Sequence, residues 1–264
     1  MMGIELKEGQ YFGQFQRQYE DNAFSCSITQ YHPEIYIEKH YHENDYVSVL
    51  VNGNYVEQNQ SGHQILEPGQ IIFRPALYDH SNDFMGNGGA CLNVGLKQDW
   101  QQTLDINTKL PQNLNIYNAG TFPSLYKLFY HLAADSGLVT EYIMDWISEY
   151  NRENIPQRLP WLNKAISILE NETEMQHSID SIADRVCVHP IYFSRAFKQR
   201  TGYTPGEYQL KIKIGKAIRL LFTTRFPIGE IAIGCGFYDT AHLIKSFRLI
   251  YATTPKKFQS RLKG

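Results

Sequence analysis

The sequence predicts a multidomain α+β chain: an N-terminal antiparallel β-barrel or jelly roll, a helical connector, and an all-α C-terminal domain carrying two helix-turn-helix motifs. Three observations predict it. Residues 24 to 97 form short alternating runs broken by turn signals, residues 122 to 150 carry apolar side chains at helical spacing, and the last hundred or so residues contain a repeat with a period of about 50.

At 264 residues the chain is long enough for two domains with their own cores, and its composition is that of a soluble globular protein. Met1 to Gln10 lacks the basic-then-apolar pattern of an export signal, and no run approaches the roughly 20 apolar residues of a membrane-spanning helix. A cytoplasmic location without membrane partners is therefore expected. Cys26, Cys91, Cys187 and Cys235 are far apart with no Cys-x-x-Cys pair, so they are read as small buried hydrophobes and not as disulfides or zinc ligands.

In the first half, Val47-Ser48-Val49-Leu50-Val51 runs into Asn52-Gly53-Asn54, and Ile71-Ile72-Phe73 follows Pro68-Gly69. Strand and turn signals at this spacing predict the barrel. His40-Tyr41-His42 on a strand puts both imidazoles on one face. Further along, Leu125, Leu128, Phe129 and Leu132, then Tyr142, Ile143, Trp146 and Ile147, predict two helices that pack on the barrel or against a second subunit. Asn151 to Pro160, polar with two prolines, is the expected linker, giving divisions at 1–100, 101–159 and 160–264.

The net charge of −2 hides an asymmetry: residues 1–159 hold 9 Lys/Arg against 19 Asp/Glu, and residues 160–264 hold 16 against 8. A basic second half suits a polyanion, because Lys and Arg on phosphates release counterions; it also fits a merely solvated face. The repeat lies in this half. Ile182-Ala183 recurs as Ile231-Ala232, Phe197-Lys198 as Phe247-Arg248, and Thr204-Pro205 as Thr254-Pro255. Each copy reads as a short helix (about 179–186 and 228–234), a turn, and a second helix (about 190–200 and 239–250).

Local chemistry sets the ends. Ser178 caps the first short helix, Pro190 and Pro227 suit first-turn positions, and Gly202 suits a left-handed helix end. Thr204-Pro205-Gly206-Glu207 is a capping box opening a helix to about Thr223. In the second helices, Phe193, Ala196 and Phe197, and Leu243, Ser246, Phe247 and Ile250, form the inward stripes. The outward sets are His189, Ile191, Ser194, Arg195 and Lys198, then Thr240, Ala241, Ile244, Lys245 and Arg248. Arg or Lys reading guanine, Ser or Thr reading several base edges, and aliphatic groups on the thymine methyl are what a major groove accepts.

From Trp161 to Arg261 the chain resembles the DNA-binding domain of the AraC/XylS family of transcriptional regulators. Val188-His189-Pro190…Tyr192-Phe193-Ser194-Arg195-Ala196-Phe197-Lys198…Thr201-Gly202…Thr204-Pro205 and Cys235-Gly236-Phe237-Tyr238-Asp239…His242…Phe247-Arg248…Thr254-Pro255…Phe258 carry the match. The resemblance implies a homeodomain-like double helix-turn-helix fold, with Ile191, Ser194 and Arg195, then Thr240, Ala241, Ile244 and Lys245, facing bases. Two departures stand out. Ala252 replaces a usual glycine at a left-handed helix end, and Lys245 replaces a common arginine, which weakens bidentate guanine reading.

His40-Tyr41-His42, Gly53, Pro68-Gly69, Pro75 and His80 resemble the small cupin-like barrel often placed ahead of such domains. In enzymatic cupins such a histidine pair joins a carboxylate and a later histidine around a metal, which here points to Glu43 or Asp45 with His80. Regulatory cupins usually bind an organic effector without metal, so the alternatives for the histidines are an effector pocket, a metal site or a structural role. Tyr46, Arg74 and Asn93 are further pocket candidates. The resemblance implies an effector-responsive activator of nearby genes, with no catalytic residues and no cofactor. Its implied partners are promoter DNA, RNA polymerase and a small polar effector such as a sugar, with a homodimer as one arrangement. A metal-dependent cupin enzyme with a DNA-binding appendage and an architectural DNA-binding protein are the competing classes.

Overall fold

A computed structural model describes residues 3–59, 62–133, 138–153, 159–175 and 177–262, the side chains of Asn87 and Glu153 excepted. Residues 154–158 of the expected linker, and Met1 and Met2 of the segment read for an export signal, lie outside them. The chain divides into two compact units, residues 1–144 with 260–264, and residues 145–259.

The first unit is a curled sheet, a half-barrel of nine strands among the described residues: β1 (Ile4–Leu6), β2 (Gln14–Glu20), β3 (Phe24–Tyr31), β4 (Tyr36–His42), β5 (Tyr46–Asn59), β6 (Gly62–Leu66), β7 (Ile71–Arg74), β8 (His80–Leu96) and β9 (Asn115–Tyr117). The 17-residue β8 organises it. One edge of β8 pairs with β3 (Phe24 opposite Leu96, Tyr31 opposite Gly89) and further along with β4 (His40 opposite His80), and the other edge pairs with β5. Strand β1 lies parallel to β4; every other pairing is antiparallel. Strand β9, within the stretch read as connector, pairs with β7 and extends the sheet.

The Asn52-Gly53-Asn54 signal marks a bulge and not a chain reversal. Strand β5 continues through it while its register against β8 shifts between Leu50 and Asn52 and again between Gly53 and Tyr55. Gly53 has φ +76°, and a Cβ there would sit 1.9 Å from the carbonyl oxygen of Gly88. Two backbones meet where side chains have no room, and the sheet bends there. Pro68-Gly69 does turn the chain, with Gln70 N–H on the Glu67 carbonyl at 3.1 Å. Inside the curl, Tyr31, Ile37, Leu50, Tyr55, Leu66, Ile72, Phe84 and Cys91 form a buried cluster, and Tyr31 stacks on Phe84 with centroids 4.2 Å apart.

After β8 come a short helix α1 (Trp100–Thr103), then α2 (Pro123–Leu132) and α3 (Val139–Glu153) at the expected places. Leu125, Leu128, Phe129, Leu132, Ile143, Trp146 and Ile147 are buried.

The second unit is helical: α4 (Pro160–Asn171), α5 (Ile179–Arg185), α6 (Pro190–Thr201), α7 (Pro205–Thr223), α8 (Ile228–Gly234), α9 (Thr240–Tyr251) and α10 (Pro255–Arg261). Ser178 Oγ accepts from Ser181 N–H at 3.1 Å, and the Thr204–Glu207 capping box is complete. Asp239 caps α9 by accepting from His242 N–H at 2.7 Å, and Thr254 Oγ1 caps α10 by accepting from Lys257 N–H at 3.2 Å. Pro227 stands at the cap of α8, one residue ahead of the first turn where its ring was expected. Leu162, Leu169, Ile182, Ala183, Phe193 and Phe197 make the core under α5 and α6, and Ile231, Ala232, Leu243, Phe247, Tyr251 and Phe258 are the buried side chains around α8 and α9. Burying each of those phenylalanines contributes about 1.5–3 kcal/mol. Of the four cysteines, Cys187 departs from the buried expectation: it is exposed, in the turn between α5 and α6, with φ +58°.

Candidate nucleic-acid interface and barrel cavity

Helices α5–α6 and α8–α9 are two copies of one device. In each, the short helix and its turn hold the second helix so that its aromatic stripe is internal and the opposite stripe faces outward. On α6, Ile191 is 69% exposed, Arg195 and Lys198 are exposed, and Ser194 is half-buried. His189 is exposed at the helix cap, where its Nδ1 accepts from Ile191 N–H at 3.3 Å. On α9, Thr240, Ala241, Lys245 and Arg248 are exposed, whereas Ile244, read as fully outward, is half-buried. Ile191 is one of several bare apolar side chains of this unit, with Ile233, Tyr238 and Leu249, so its exposure matters only for where it stands, at the start of the second helix of a motif.

Helix α7 joins the copies. Its Lys213 Nζ donates to the Gly236 carbonyl in the α8–α9 turn at 2.6 Å, and Gln209 Nε2 donates to the Met175 carbonyl ahead of α5 at 2.7 Å. Lys216 donates to the Thr173 hydroxyl, and Arg185 meets Glu172 with two bonds of 2.7 and 2.5 Å. Gly236, φ +72°, is pressed against this network: a Cβ there would lie 2.7 Å from the Thr173 carbonyl oxygen. The segment after α4 is thereby tied to the turn of the second motif.

In the half-barrel, all six side chains expected to line an effector pocket, His40, His42, Tyr46, Arg74, His80 and Asn93, line one cavity. All six are buried. The cavity is small, about 30 Å³, room for roughly two waters. His40 and His80 rings lie 4.2 Å apart between centroids, and one ligand nitrogen from each of His40, His42 and His80 lies within 4.8 Å of the others. Burial holds His40 down at about 4, its Glu38 carbonyl contact opposing and the Arg74 charge reinforcing that shift. Burial, with His40 and Arg74, holds His42 at about 3, and burial with Arg74 depresses His80 strongly. At neutral pH the three imidazoles are uncharged, the form that offers a lone pair.

Beside them lies a buried ion pair. Arg74 Nη2 meets Glu57, Nε reaches the same carboxylate at 3.0 and 3.2 Å, and Nη2 donates to the Tyr55 hydroxyl at 2.7 Å. Burial pushes the guanidinium down, but the Glu57 carboxylate together with Tyr46 and Tyr55 outweighs it, so Arg74 stays charged. Ser48 Oγ donates to Asn93 Oδ1 at 2.8 Å, and Asn93 Nδ2 donates to Thr29 at 2.9 Å. The carboxylates nominated as metal partners stand elsewhere: Glu43 is exposed, and Asp45 accepts from Ala76 N–H at 2.7 Å. The residues thus fit a metal with three nitrogen donors, without the carboxylate of the enzymatic pattern.

A family model described as a helix-turn-helix domain matches residues 182–261, the span of both motifs. The C-terminal region carries a helix-turn-helix domain, and it is this region, not the whole chain, that is similar to the AraC family. The chain is 31% identical over 142 residues to the transcriptional regulator ArgR of Pseudomonas aeruginosa, covering 51% of this chain and 43% of that one. To the transcriptional activator RhaS of Escherichia coli it is 28% identical over 113 residues, covering 43% and 41%. The chain spans less than half the length of these curated relatives. Among solved structures, ToxT of Vibrio cholerae aligns over 92% of this chain and all of its own, at 13% identity and a TM-score of 0.41, too low to carry an argument.

Sequence reasoning missed Tyr55 and Tyr11 in the cavity, and Glu57 behind it as the partner of Arg74. Tyr11 comes from the segment between β1 and β2, and its ring lies 5.0 Å from His42 and 5.9 Å from Tyr46. No local pattern marks a side chain that arrives from a connection. Glu57 was legible in principle, as an acidic residue facing inward on a strand that alternates.

Proposed function

We propose that this chain is a sequence-specific DNA-binding transcription regulator, acting on chromosomal DNA in the cytoplasm, whose half-barrel senses an effector. The observation that carries the reading is the pair of motifs in the AraC-type domain, each burying the aromatic face of its second helix and leaving most of the opposite face exposed. His189, Ile191, Ser194, Arg195 and Lys198 on the first, and Thr240, Ala241, Ile244, Lys245 and Arg248 on the second, are the proposed contacts, with residues 160–264 as the DNA-binding part. Ile191 has the exposure and chemistry to meet a thymine methyl, Arg195 to meet guanine, and Lys198 and Arg248 to meet phosphates. His189 combines a capping role with this position. His40, His42, Tyr46, Arg74, His80 and Asn93 are the proposed sensing residues.

An effector shifts transcription only if it binds the DNA-competent arrangement more tightly than the alternative. Activation is the proposed outcome, as the name of RhaS, a transcriptional activator, states for that relative, and RNA polymerase is the proposed partner. Footprinting on fragments selected from genomic DNA tests the reading: protection over two adjacent major-groove segments is expected. Equal binding to random and genomic DNA at about 150 mM salt, with no protected site, would defeat it.

A further inference from the structure

We propose that His40, His42 and His80 bind one divalent transition-metal ion inside the half-barrel, and that such an ion is the barrel's signal. The proposal deepens the sensing role above and rests on it for the word signal; the site itself stands on geometry.

Three nitrogens no more than 4.8 Å apart share a point at most about 2.8 Å from each, against the roughly 2.0–2.1 Å of a zinc–imidazole bond. Each ring has to move inward by less than about 1 Å. The rings are also oriented from outside. His40 Nδ1 lies 2.8 Å from the Glu38 carbonyl and His80 Nδ1 lies 3.0 Å from the Tyr78 carbonyl. A carbonyl only accepts, so each Nδ1 carries the proton and each Nε2 carries the free lone pair. Backbone carbonyls holding the far side of imidazoles are the usual support of histidine ligands. His80 Nε2 accepts from the Tyr46 hydroxyl at 3.1 Å, so binding exchanges one hydrogen bond for a coordinate bond and leaves that hydroxyl beside the ion.

The space suits a single ion. About 30 Å³ accommodates an ion and a water, whereas organic ligands occupy pockets of roughly 300 Å³ or more. Arg74 is paired with Glu57 but lines the same cavity and lowers all three imidazoles, so the three nitrogen donors have to hold the dication against that charge. Three imidazoles select zinc, iron, cobalt, nickel or copper over magnesium or calcium, which prefer oxygen.

The test uses full-length protein, stripped with chelator and titrated with Co²⁺. One equivalent per chain with the visible d–d absorption of a four- or five-coordinate ion is expected, together with a rise in melting temperature of about 5–10 °C at a hundredfold excess over the dissociation constant. His42→Gln and His80→Gln should each lose the absorption and the shift. No visible band and no shift with Co²⁺ or Zn²⁺ on the wild type overturns the proposal, as does an undiminished band in a variant whose circular dichroism matches wild type. Selective DNA retention is measured on the same preparations. Its loss with the cobalt band intact removes the regulator reading and leaves the site, whereas the reverse pattern removes the site alone.

Discussion

The repeat places Cys187 opposite Gly236 and Gly202 opposite Ala252, and all four residues have positive φ, between 52° and 77°. Two of the four positions therefore hold a side chain where glycine is the relaxed choice. Ala252 is exposed at the end of α9, so Ala252→Gly should stabilise the protein by about 1 kcal/mol, read as a higher urea midpoint. Gly236→Ala should do the reverse and by more, about 2–4 kcal/mol, because backbone strain adds to overlap with the Thr173 carbonyl. A urea midpoint for that variant within error of wild type would contradict the close approach. Arg195→Ala should relax selection at one base pair by about 1–3 kcal/mol and leave the others unchanged, which binding to a randomised site measures. The Ala252 position was readable, because the resembled family usually has glycine at that helix end. The Cys187 position was not: its partner glycine answers to Thr173, sixty-three residues earlier in the chain, and no pattern within either motif reveals that pressure.

Among elements, the start of β3 is fastened by one carboxylate. Asp21 Oδ1 accepts from Ala23 and Phe24 N–H at 2.8 Å each, and Oδ2 accepts from the Tyr19 hydroxyl at 2.9 Å and from Thr140 Oγ1 on α3 at 2.6 Å. Burial pushes Asp21 up, but these donors, Thr140 foremost, hold it below its usual value. An unfolded Asp21 takes its proton first on acidification. Its contribution is therefore complete above about pH 4 and lost as pH falls through the folded value. Asp21→Asn should cost about 1–3 kcal/mol at pH 7 and flatten the acid limb of a stability-against-pH curve; an unchanged limb would remove Asp21 as its source. Element prediction succeeded where apolar periodicity was sustained, as in α2 and α3, and where the repeat and the capping residues marked the ends, as in α5 to α9, and stumbled at Asn52-Gly53-Asn54. Those residue types favour a reversal, yet β8 is long enough to keep pairing past them, and the tertiary partner converts a turn signal into a bulge. The histidine cluster was half readable: His40 and His42 share a face by alternation, while His80 joins them only because β4 pairs with β8.

At the scale of the molecule, the division into a curled sheet and a helical unit followed from two periodicities, near two residues and near 3.6, in different stretches. What stayed hidden was the size of the cavity, since volume depends on how Tyr11, Tyr46 and Tyr55 fill the curl. The 19-residue α7 spans about 28 Å, and its side chains are bonded toward both motifs. A strut of that kind sets distance as well as phase. If both reading heads ride on it, inserting five base pairs between their half-sites should abolish joint occupancy, and inserting ten should fail to restore it, since the added length of about 34 Å exceeds what a stiff spacer can follow. Promoters served by such a protein would tolerate base changes between the half-sites far more readily than any change in their count.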